Sequence, residues 1–139
     1  LVRSRGLGDV YKRQKQLYAV YRKVLTLCNE EQAIAQGAFF DLMYANENGW
    51  RFNEHKQYTF LRKHEKELLF IIVNFDNQPV DIAINVPSHA FDFLQIPQMD
   101  VYEATDILTG KKENICLLPY KATEVSLSAH SGKILKITL

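Results

Sequence analysis

Glu67 to Pro87 reads ELLFIIVNFDNQPVDIAINVP, and its two halves obey different rules. Leu68 to Val73 is an unbroken apolar run, rich in β-branched and aromatic residues and far too short for a membrane span, which predicts a strand buried on both faces. Asn74, Asp76, Asn77 and Pro79 then supply turn chemistry. Beyond them Val80, Ile82, Ile84 and Val86 alternate with Asp81, Ala83 and Asn85, the pattern of a strand with one wet face. A buried strand beside a half-exposed one suits a β-sandwich core, and the pair is expected as its central hairpin.

Working back from that stretch, Lys63 to Lys66 is a charged turn, and Gln57 to Arg62 alternates Tyr58 and Phe60 with Thr59 and Leu61 as a strand. A polar loop, Ala45 to Lys56, carries the Asn48-Gly49 turn signal. Ala38 to Tyr44 is strand-like. From Lys15 to Cys28 the residues Leu17, Tyr21, Val24, Leu25 and Cys28 recur at three- and four-residue steps, which places them on one face of a helix. Tyr18, Val20 and Leu27 lie off that stripe, so the helix is expected to pack on more than one side, with the β-domain as part of its cover. Asn29 and Gln32 are spaced as a capping box, and Gly37 offers a stop. Leu1 to Gln14 shows no period and is expected as a disordered leader foreign to the domain.

Working forward, Ser88 to Asp100 is expected as a packed connection with one helical turn. Val101 to Leu108, Ile115 to Leu118, Thr123 to Ser128 and Lys133 to Leu139 follow as strands, separated by turn residues such as Thr109-Gly110. Seven or eight short strands at roughly ten-residue spacing after one helix predict a mostly β chain, an antiparallel β-sandwich of Greek-key type.

Composition excludes several classes of function. With 17 Lys and Arg against 16 Asp and Glu, the net charge is +1, and the one basic cluster, Arg3 to Lys15, falls almost wholly in the leader. Neither nucleic acid nor an anionic membrane is an expected partner. No apolar run approaches the ~20 residues of a membrane helix. Cys28 and Cys116 have neither CxxC spacing nor a neighbouring His, so free buried thiols are expected, with Cys116 as a small core residue. The chain starts at Leu1, and localisation is not readable from it.

Chemistry finds few footholds. His55, His64, His89 and His130 fall in loops or turns at no ligand spacing, so no metal and no cofactor is expected. There is no GxSxG elbow and no P-loop. Asp41, Asp76, Asp81, Asp92, Glu103 and Asp106 are expected on wet faces or at turns. Trp50, the sole tryptophan, lies in a polar loop near Phe52 and Tyr58. The plain reading is a lid folded onto the sandwich; the sharper one is a carbohydrate-binding platform made by Trp50 and Tyr58.

The order of the pieces is informative as well. Tyr21-Arg22-Lys23-Val24-Leu25, Ala33 to Gly37, Phe60-Leu61-Arg62, Val73-Asn74-Phe75 and Asp106-Ile107-Leu108-Thr109-Gly110 together resemble the tail of the α-amylase family of glycoside hydrolases, family 13. The resemblance runs from Lys15 to Leu139. It implies that residues 15–36 correspond to the last helix of a catalytic (β/α)8 barrel and residues 37–139 to the C-terminal β-sandwich, domain C. The partner it implies is the barrel of the parent enzyme, with an α-glucan as that enzyme's substrate. The family's catalytic carboxylates belong to barrel strands, so none is carried over to this chain, which is expected to be non-catalytic. The alternative expectation is a free-standing starch-binding module.

Overall fold

The computed structural model describes residues 2–139, with side chains from residue 6 onward. Eight strands form two antiparallel sheets behind an N-terminal helix, the expected sandwich class. The strands are β1 (Ala38–Asp41), β2 (Gln57–His64), β3 (Glu67–Asn74), β4 (Val80–Ile84), β5 (Met99–Asp106), β6 (Lys112–Leu117), β7 (Thr123–Leu127) and β8 (Ser131–Thr138). The larger sheet runs β1-β2-β3-β8-β5-β6 and the smaller pairs β4 with β7.

The apolar run of β3 is central for the reason its composition gives. Phe70 pairs with Leu61 on one side and Leu135 on the other, and Leu68, Phe70 and Ile72 point into the core with Ile82, Ile84, Val125 and Leu127 of the smaller sheet. On the opposite face Leu69 and Ile71 are buried beneath Ala33. Both faces are therefore covered, as the unbroken run requires.

The expected β3–β4 hairpin is corrected. β4 pairs with β7, so the chain leaves one sheet after Asn74 and enters the other at Val80. The Asn74 amide donates to the carbonyls of Gln78 and Ser128, both at 3.0 Å, which bends the connection across the sandwich and away from its own sheet. Helix α3 (Ser88–Leu94) then closes one end, burying Ala90, Phe91 and Leu94 in the same core. His89 is thus helical, where a loop was expected.

At the N-terminal end, α1 (Val2–Glu30) is longer than its periodicity predicts, and α2 (Gln32–Ala35) follows after Glu31 takes an extended conformation. Asn29 lies within α1, so no capping box forms at that position. Residues 2–14, expected as disordered, continue the helix, and Leu1 lies outside the described residues. Adding residues to an existing helix costs far less than nucleating one, so a short segment without tertiary contacts can follow a strong one. Gly37 ends this region because a Cβ there would meet the Ala33 carbonyl oxygen. The cover expected for α1 from the β-domain is not found: Leu17, Tyr18, Val20, Tyr21 and Leu25 are all exposed, and Cys28 with them.

Candidate functional site

Two surfaces gather chemistry-bearing side chains. The first is where the helices join the larger sheet. Arg62 of β2 donates from Nε to the Ala33 carbonyl at 2.9 Å and from Nη2 to the Gly37 carbonyl at 2.8 Å, which binds α2 to the sheet through backbone acceptors. Lys136 of β8 reaches Glu31 at 2.9 Å and Glu67 at 3.3 Å. Ala33, Leu69 and Ile71 form the apolar floor beside these contacts.

The hydrogen bond that Lys136 donates to Glu31 raises the lysine's pKa above its ordinary 10.5, with attraction to Glu31 and Glu67 adding to it against partial desolvation. A raised folded-state pKa means that the pair's contribution to stability is complete below the ordinary lysine value and disappears as pH rises through the folded one. Hydrogen exchange is expected to report this as faster exchange of the α2 amides in strongly alkaline solution, beyond the intrinsic base-catalysed increase. Lys136→Met should abolish that extra pH dependence; its persistence would show that another group holds α2.

The second surface lies on the outer side of the smaller sheet and in the loop before β2. Trp50 is 72% exposed, so it is not a lid on the core; Phe52, two residues on, takes the buried place at 6%. The Arg51 guanidinium stands 5.0 Å from the Trp50 ring centre. Arg51 also pairs with Glu124 at 2.8 Å and donates to the Asp81 carbonyl at 3.2 Å. Tyr58 lies elsewhere: on β2 it faces away from the core, its ring 5.6 Å from that of Phe60, which in turn meets Phe39 at 5.3 Å. Tyr58 thus packs against Phe60 on the outer face of β2, whereas the group that stands against Trp50 is Arg51.

Other expectations change in detail. Asp106 is buried, not wet, and its carboxylate accepts from the Leu108 and Ile134 amides and the Thr109 hydroxyl, which fixes the DILTG turn. Cys116 faces outward and is partly exposed, its sulfur 3.8 Å from Asp100, and burial pushes the thiol pKa up. Among the described residues no three His, Cys, Asp or Glu side chains converge as a metal site would need. No helix among them is long and apolar enough to cross a membrane. The contacts of Arg51, Glu124, Arg62 and Lys136 had no sequence signal, because their partners are distant in the chain.

The architecture is thus an antiparallel β-sandwich with a projecting N-terminal helix. Part of a maltogenic α-amylase from Thermotoga neapolitana has this fold, at a TM-score of 0.66 and 10% identity over 88% of this chain and 25% of that one. An α-amylase from Anoxybacillus gives 0.60 and 16%, covering 89% of this chain and 23% of its own. The α-amylase of Geobacillus thermoleovorans gives 0.55 and 14%, covering 81% and 21%. This chain therefore spans about a quarter or less of those enzymes. At such identities the likeness is one of fold, and the fold is the one implied by the order of the sequence motifs. No protein-family model matches the chain, and no curated protein sequence matches it either.

Proposed function

We propose that this chain is the non-catalytic C-terminal domain of an α-amylase-like glycoside hydrolase acting on α-glucans, and that it stabilises and shields the catalytic (β/α)8 domain. Residues 15–36 would be the last helical segment of that barrel, residues 37–139 the β-sandwich, and residues 1–14 a leader foreign to both.

The observation that carries this reading is the uncovered helix. The sandwich closes its own core, yet α1 presents Leu17, Tyr18, Val20, Tyr21 and Leu25 to solvent on more than one side. A surface helix normally hides one apolar stripe, whereas a helix packed on strands and neighbouring helices hides more. Arg62 and Lys136 meanwhile fix the α2 end to the sheet, as a rigid connection between two domains would need. The fold likeness to parts of α-amylases supports the same partner.

Hydrolysis of a glucan requires two carboxylates held across a sugar, and the reading places those on the partner. Purified chain incubated with soluble starch is therefore expected to release no reducing sugar. Release that scales with protein and survives repurification would overturn the assignment. A second check is the coding sequence upstream, which should encode barrel strands ending in Asp, Glu and Asp.

A further inference from the structure

The Trp50 surface is built more firmly than an accidental exposed aromatic residue. Arg51 has a left-handed backbone, φ 56°, which costs a non-glycine residue about 1 kcal/mol or more. It is kept there by its carbonyl, which accepts from the Ala83 amide at 3.1 Å, by the Glu124 pair and by the Asp81 carbonyl. The guanidinium held in this way stands over the Trp50 ring. Trp50 is 72% exposed, so most of its side chain is open to solvent.

Around Arg51, which stands over the ring, lie groups able to exchange hydrogen bonds. β4 and β7 place Asp81 opposite Ser126 and Ala83 opposite Glu124, and the Ser126 hydroxyl donates to Asp81. Two shallow depressions meet at Asp81, one bounded by Gly49, Arg51 and Phe52 and the other by Ser126 and Leu127.

We propose that this surface binds a glucan chain, with one pyranose stacked on the exposed Trp50 ring and its hydroxyls bonded to Glu124, Arg51 and Asp81. A pyranose offers C–H groups on one face and hydroxyls around its edge. The electron-rich face of an indole suits the first, and charged donors and acceptors beside it suit the second. Other ligand classes fit less well. Asp81 and Glu124 repel phosphate, which disfavours nucleic acid. A protein interface of standard size requires about 800 Å² from each partner with an apolar centre, and the groups beside this ring are charged or hydroxylic. The stacking chemistry asks only for a pyranose chain; the choice of an α-linked one rests on the parent enzyme proposed above.

Because Trp50 is the only tryptophan, its fluorescence reports this surface alone. Titration of the full chain with maltoheptaose is expected to give a saturable change with a millimolar midpoint. Followed by heteronuclear NMR, Trp50→Ala should weaken binding by about tenfold or more, a loss of roughly 1.4 kcal/mol, while Tyr58→Ala should leave it unchanged. No saturable response to maltoheptaose or to cellohexaose, or binding that survives Trp50→Ala, overturns the site. A response to cellohexaose alone upholds the site and overturns the α-glucan assignment.

Discussion

Ile72→Asp is expected to unfold the β-domain at room temperature, with loss of the cooperative thermal transition and of native far-ultraviolet circular dichroism. Ile72 is fully buried on β3, paired with Thr59 on one side and Lys133 on the other, and it packs in the cluster shared by both sheets. The substitution removes an apolar side chain and places a carboxylate where water does not reach. Protonating that carboxylate still leaves a buried polar group without a partner, and the packing of the isoleucine is lost as well, so the expected loss is about 5–10 kcal/mol. A domain of this size has only about 5–15 kcal/mol to lose. Ile72→Val is the control: it removes one methylene group and should cost about 1 kcal/mol while keeping the transition cooperative. A normal melting temperature for Ile72→Asp would mean that β3 is not the centre of the core.

The centre of the sandwich was legible because burial leaves a direct mark on composition. A strand covered on both faces has no place for polar residues, and Leu68 to Val73 has none. Alternation at Val80 to Val86 likewise gave the wet side of β4 at Asp81, but Ala83 on that side is buried, its amide bonded to the Arg51 carbonyl, and Asn85 falls just past the strand. Alternation does not name a strand's neighbour, however. β3 and β4 are consecutive and joined by turn residues, yet β3 lies between β2 and β8 while β4 lies with β7. That choice is made by tertiary hydrogen bonds of Asn74, which no local pattern encodes. Helix α1 was legible only where its apolar residues repeat; residues 2–14 follow by propagation, which leaves no periodic signature.

The candidate sites divide along the same line. Trp50 was visible as a lone tryptophan in a polar loop. Tyr58 was joined to it by proximity in sequence alone: Trp50 precedes β2 and has Arg51 against its ring, while Tyr58 points outward from β2 beside Phe60. The residues that hold Arg51 against Trp50 come from β4 and β7, brought there by strand register. Asp106 shows the converse. Its carboxylate was expected on a wet face or at a turn; it does fix the turn after β5, but it is buried and accepts from the Ile134 amide across the sheet.

Asn74→Leu is expected to cost about 3–4 kcal/mol, nearly as much as a large core truncation, at a position that sequence reads only as the start of a turn. The side chain is almost fully buried and makes four hydrogen bonds. Nδ2 donates to the carbonyls of Gln78 and Ser128, and Oδ1 accepts from the Gln57 amide at 3.1 Å and the Asp76 backbone at 3.0 Å. Ser128 follows β7 and Gln57 opens β2, so this one amide links the two sheets at the point where the chain changes between them. Leucine is close in shape, which isolates the lost bonds from the lost volume, and leaves the partners without replacement. Asn74→Asp separates the donors from the acceptor. It keeps an oxygen toward Gln57 and Asp76 but turns a second one toward two carbonyls, so the folded state should disfavour the ionised form and raise that carboxyl's pKa. The folded protein then binds the proton more tightly than the unfolded chain, and stability relative to wild type should rise as pH falls through the raised value. Urea unfolding at neutral and mildly acidic pH checks both points. Asn74→Asp should regain stability on acidification, while Asn74→Leu stays equally deficient at either pH. A parallel response of the two variants would mean that the amide's donor bonds to Gln78 and Ser128 are not what holds the crossing.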